Sequence, residues 1–111
     1  MKTVTLIATA TGAVDTTSAA FDLGNIQTFS VQVDFSGTDL VGTLTLQCSN
    51  ASTGPWTTVT SSSQAVTASA DHTWNVTGAG YRYVRVFWDY TSGTGNIGAV
   101  LVTKDTIVTG V

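Results

Sequence analysis

Three observations predict an all-β fold. Apolar and polar residues alternate with period two in one stretch after another, the signature of strands with one buried and one wet face. The stretches are separated by clusters of Gly, Ser, Asn and Asp, residues that favour turns. No segment carries apolar residues at helical spacing behind a capping residue. Composition agrees: the 111 residues include 22 Thr, 10 Ser and 11 Gly but no Glu, a balance that favours strands and turns over helices. A chain of this length forms one domain, residues 1–111.

The first strand spans residues 3–10, with Val4, Leu6 and Ala8 opposed to Thr3, Thr5 and Ile7. This apolar run is too short and too broken by Thr to serve as an export signal. The next alternation is the clearest. Over residues 27–35, Phe29, Val31, Val33 and Phe35 share one face, and Thr28, Ser30, Gln32 and Asp34 the other. Ser36-Gly37-Thr38-Asp39 turns the chain into residues 42–49, where Leu44, Leu46 and Cys48 face the core. Cys48, the sole cysteine, therefore reads as a packing residue.

Asn50 to Pro55 is the strongest turn signal and holds the single proline. Short strands are expected at 56–60 and 64–68, joined by the polar bend Ser61-Ser62-Ser63. Residues 72–76 alternate with His72, Trp74 and Val76 on one side. Gly78-Ala79-Gly80 leads into the longest regular stretch, residues 81–90. There Arg82, Val84, Val86, Trp88 and Tyr90 oppose Tyr81, Tyr83, Arg85, Phe87 and Asp89. The Val/Val/Trp side is the core side. After a loop at 91–96 comes a strand at 97–104, and residues 105–111 form a short tail expected to pair at an edge. Eight or nine strands in this order suit two packed antiparallel sheets, a β-sandwich of jelly-roll kind.

The side chains available for chemistry are few. Four cations and a net charge of −3 offer no basic patch for nucleic acid, and no apolar run is long enough to span a membrane. One His and one Cys exclude a histidine-rich metal centre and a disulfide framework. Asp34 and Asp39 flank one turn but lack the dense spacing of a calcium loop. His72 neighbours Asp71, yet adjacent strand residues point to opposite faces, so the pair does not suggest a triad. The seven Asp fall mostly at strand ends and turns, where Asp bonds the local backbone. The expectation is a protein without catalytic residues, metal or cofactor.

Binding falls to the aromatic side chains. Tyr81, Tyr83 and Phe87, with Arg85 among them, form a row on the outer side of the longest strand and are the interface candidates. Trp56, just after Gly54-Pro55, and the neighbouring Asn50 are the candidate glycan contacts, because a flat indole stacks on sugar rings.

Several stretches also carry a resemblance. Phe29 to Phe35, Gly42 to Asn50, Gly54-Pro55-Trp56, Tyr81 to Val86 and Ser92 to Gly95, closing on Lys104, together resemble small all-β structural proteins of tailed bacteriophage virions. The segments around Trp56 and Tyr81–Val86 are also similar to parts of discoidin-like and other galactose-binding sandwiches, where they are framework. The phage resemblance implies a non-enzymatic capsid-decoration, minor head or tail component, made in the bacterial cytoplasm and residing in the virion. It implies homo-oligomerisation and docking on capsid or tail proteins, and leaves room for a host glycan.

Overall fold

The computed structural model describes residues 2–104, which form ten β-strands and, among the described residues, no helix. They are β1 (Lys2–Thr11), β2 (Thr16–Thr17), β3 (Phe21–Asp22), β4 (Phe29–Ser36) and β5 (Val41–Ser49). There follow β6 (Thr57–Thr58), β7 (Gln64–Val66), β8 (His72–Val76), β9 (Tyr83–Ser92) and β10 (Asn96–Thr103). One sheet has the order β1-β10-β4-β8. The other runs β2-β9-β5-β6, with β3 also on β9 and β7 also on β5. All pairings are antiparallel.

The pairings nest. β1 pairs with β10, β2 and β3 with β9, β4 with β8, and β5 with β6 and β7. That is one long hairpin wrapped so that successive pairs alternate between two sheets, the arrangement of a jelly roll. The expected sandwich is therefore the observed one.

The core lies between the sheets. Val31, Val33, Leu44, Leu46, Val84, Val86 and Trp88 are all fully buried, as their alternation predicts. Each fully buried Val or Leu contributes roughly 1.5–3 kcal/mol. Trp88 sits at the centre, its ring 5.1 Å from that of Phe35. Its indole N–H donates to the Gly12 carbonyl at 2.7 Å, and that of Trp74 to the Ser62 carbonyl at 2.9 Å. Both polar edges are thus satisfied inside the core. Glycine is required where loops meet. At Gly93 (φ 88°) a Cβ would stand 1.9 Å from the Asp39 carbonyl oxygen, so the β9–β10 loop can close on the β4–β5 turn only without a side chain.

Several expectations are corrected. In β1 the register against β10 shifts between Thr5 and Ile7 and again between Ile7 and Ala10. The first bulge turns Ile7 inward beside Leu6, both 7% exposed, and leaves Ala8 outside, so strict alternation fails there. Residues 12–26, to which alternation assigns no element, contribute β2 and β3. The strands expected at 56–60 and 64–68 shrink to two and three residues. Cys48 points inward as expected but lies at the end of the sandwich and is only half-buried. The expected tail at 105–111 lies outside the described residues.

The short strands share one cause. Between β2 and β3 the Ser18 hydroxyl accepts the N–H of Val86 at 2.8 Å, while the Ser18 N–H donates to the Val86 carbonyl at 2.9 Å. Between β6 and β7 the Ser62 hydroxyl accepts the Leu46 N–H at 3.1 Å and donates to the Leu46 carbonyl at 3.1 Å. Each outer position of this sheet is one broken strand, its gap closed by a buried serine.

Candidate functional site

β9 runs through the interior of its sheet, with β5 on one side and β2 and β3 on the other. Since Val84, Val86 and Trp88 point into the core, Tyr83, Arg85, Phe87 and Asp89 point outward. Their neighbours on β5 are Ser49, Gln47, Thr45 and Thr43, in that order. Thr17 lies beside Phe87 on the other side, and Asp22 beside Tyr83. This outer face is a row of aromatic and charged side chains bordered by hydroxyls.

The structure brings two separately predicted sets together here. Thr57 and Thr58 pair with Cys48 and Gln47, which carries the preceding Trp56 over the outer face. The Arg85 guanidinium lies 4.2 Å from the Trp56 ring centroid and its Nε donates to Gln47 Oε1 at 2.7 Å. Stacking and hydrogen bond hold a side chain that would otherwise sample many rotamers. Burial pulls the Arg85 pKa down from its ordinary value, but an arginine stays cationic at neutral pH. With one ring face under Arg85 and its edge against Gly54, where a Cβ would lie 2.8 Å from Trp56 Cδ1, Trp56 is built into this face.

Tyr81 does not join the row. It precedes β9 and packs against the core. Its hydroxyl oxygen is buried without a hydrogen-bond partner, and burial pushes the group's pKa up to about 12, with the nearby Cys48 adding to the shift. Asn50 is exposed and lines, with Tyr81, two hollows of about 380 and 480 Å³ at the end of the sandwich. Trp56 lines neither, so the two candidate glycan contacts do not share a hollow.

Arg82, expected beside Val84, instead reaches Asp22, with Nε and Nη2 donating to the two carboxylate oxygens at 3.1 and 3.0 Å. Its guanidinium stands 5.3 Å from the Tyr83 ring centroid. The hydrogen bond from Arg82 holds the Asp22 carboxyl below the usual range and raises the Arg82 pKa in turn. Both groups are well exposed, so this pair orients the end of the row and adds little stability.

The other acidic candidates are occupied structurally. Asp71 accepts the Phe35 N–H at 2.8 Å, so its carboxylate does not orient His72. Asp39 accepts the Thr94 N–H at 3.1 Å and ties the two loops together. Asp15 accepts the Tyr90 N–H at 2.8 Å. Among the described residues no three His, Cys, Asp or Glu side chains stand together as a metal site. No helix of the described residues is long and apolar enough to cross a membrane. What the outer face carries is aromatic surface and a held guanidinium, side-chain types enriched at protein interfaces. The stack of Arg85 on Trp56 was not legible in the sequence, because 29 positions separate the two and no periodicity links them.

The fold recurs among solved structures. The chain is similar to the SPBc2 prophage-derived protein YomS, whose crystal structure superposes with a TM-score of 0.60 over 90% of both chains. The identity is 15%. The likeness shows a shared fold. The chain matches no protein-family model and no curated protein sequence.

Proposed function

We propose that this chain is a non-enzymatic structural protein of a bacteriophage virion, a capsid-decoration or minor head protein or a tail component. It acts by associating with itself and docking on another virion protein. The observation that carries the reading is the jelly roll shared along nearly the whole chain with a prophage-derived protein. The outer face built on β9 supports it, because Tyr83, Phe87, Trp56 and Arg85 are the residue types that anchor protein contacts. In this reading Trp56 serves the docking surface, held on it by Arg85 stacked against one face of its indole.

The test is to purify phage particles from the source and locate the chain. Peptides of this protein in the particle fraction, with antibody labelling at a defined place on head or tail, support the reading. Particles free of it, with the protein only in the soluble lysate, reject it. A glycan array reads the other use of the face: binding that Trp56→Ala abolishes would replace docking with sugar recognition.

A further inference from the structure

The outer row of β9 is charge-complementary to itself. Arg85, Phe87 and Asp89 follow one another at every second position on the outward side of an interior strand. Phe87 stands midway, half-buried, with Thr17 and Thr45 as its direct neighbours on either side. At about 3.4 Å per residue, Arg85 and Asp89 are roughly 13–14 Å apart, too far to pair within one chain.

Both charges remain unmatched among the described residues. Arg85 is held by a neutral amide and an indole, and its Nη atoms make no hydrogen bond. Asp89 is exposed and, like Asp34 on the other sheet, accepts no hydrogen bond, whereas Asp15, Asp22, Asp39 and Asp71 each hold a donor. The single ion pair of the described residues, Arg82 with Asp22, uses neither.

We infer that this face binds a second copy of the same chain across a twofold axis passing beside Phe87. The axis lies in the plane between the two sheets and within about 15° of perpendicular to β9. It sets β9 antiparallel over β9, Phe87 on Phe87, and Arg85 opposite Asp89 of the second copy, twice. A twofold contact must be self-complementary, and a +/apolar/− row at equal spacing is the simplest sequence that meets this condition. Two sheets packed face to face lie about 10 Å apart and cross at about 30°. Arg85 is long enough to follow that angle, and its contacts with Gln47 and Trp56 hold the guanidinium on this face before the partner arrives. Polyanions suit the face poorly: the chain carries a net charge of −3, and Asp22 and Asp89 border the row. One carboxylate per guanidinium is the matching ligand.

The inference rests on the docking reading and narrows it to one surface and one partner. Sedimentation equilibrium of the full chain tests it, using Arg85→Glu and Asp89→Lys alone, combined in one chain, and as a mixture of the two single variants. Each single variant places like charges opposite each other in its own dimer. Its association should weaken on the order of 100-fold. The double variant restores both pairs. The mixture does so as well, since Glu at 85 then faces Lys at 89 while Arg85 faces Asp89, and a dimer should form from two chains that are separately monomeric. High salt should weaken the wild-type dimer.

A wild-type chain monomeric at millimolar concentration overturns the inference. So does a dimer indifferent to all four arrangements, which would place self-association on another surface and leave the docking reading intact; that reading is tested separately, by the particle fractions and the glycan array. If a swapped chain does not fold, Arg85→Gln and Asp89→Asn remove the charges while keeping a polar side chain at each position. Each must then weaken the dimer at least tenfold, or the inference fails.

Discussion

The Ser62 hydroxyl holds both backbone groups of Leu46, accepting its N–H and donating to its carbonyl, each at 3.1 Å. One buried side chain thereby replaces a stretch of neighbouring strand. Ser62→Ala leaves the N–H of the fully buried Leu46 without an acceptor, while its carbonyl keeps the Val59 N–H at 2.7 Å, and should lower stability by about 1–3 kcal/mol. Ser18→Ala should cost a similar amount at Val86, since the Val86 N–H loses its acceptor. Urea unfolding reads both; a cost near zero for either would show that the gap closes without the serine.

Gly42 lies on β5 where Trp88 crosses the core. A Cβ there would stand 2.4 Å from the Asp89 carbonyl oxygen and 2.5 Å from Trp88 Cη2. Backbone and a fully buried indole cannot both move aside, so Gly42→Ala should destabilise by about 3 kcal/mol or leave the protein insoluble. Gly80→Ala is the control: nothing lies within 4 Å of its added carbon. Thermal melts of the two should differ clearly in midpoint, with Gly80→Ala close to wild type.

Tyr81 should titrate late. Burial raises its pKa from 10.0 to about 12 in the folded chain. Between these values the unfolded chain loses a proton that the folded chain keeps, so this group's contribution to stability falls as pH rises through that window. Absorbance near the tyrosinate band should show one step at about pH 12 that Tyr81→Phe removes. Because the buried hydroxyl has no partner, the same substitution should be neutral or stabilising by up to ~1 kcal/mol at pH 7. A loss of stability there would reveal a partner for the hydroxyl.

His72 acts at the acid end. It packs edge-on against Trp74, centroids 4.9 Å apart, and burial lowers its pKa from 6.5. The unfolded chain then binds a proton before the folded one does. Stability should be unaffected by this group above 6.5 and decline as pH falls below that value, until the folded-state pKa is passed. His72→Gln should flatten that part of the pH–stability curve. An unchanged curve would place its cause in the carboxylates instead.

The long strands were legible because their physics is local. Phe29, Val31 and Val33 alternate with Ser30, Gln32 and Asp34, and only one pleated arrangement buries the first set while wetting the second. The same holds for Leu44 and Leu46 on β5 and for Val84, Val86 and Trp88 on β9. Where partners impose the structure, local reading fails. Bulges in β1 bring Ile7 inside, and the gaps at Ser18 and Ser62 depend on backbone groups 68 and 16 positions away.

The site divides along the same line. Tyr83, Arg85 and Phe87 could be placed on one outward row from alternation alone, and they stand there. Tyr81 could not be separated from them, because the point at which β9 begins is set by Leu23 pairing with the Arg82 carbonyl and Asp22 with Tyr83.

By itself, then, the sequence determined that this protein is a sandwich of strands with hydroxyl-rich outer faces and few side chains for chemistry, since composition and period two are properties of neighbouring residues. Only the tertiary structure decided which strands pair in each sheet, that Arg85 stacks on Trp56, and that Arg85 and Asp89 are left unmatched on either side of Phe87. Those relationships come from the sheet order, and sheet order follows from long-range hydrogen bonds and core packing that no local window contains.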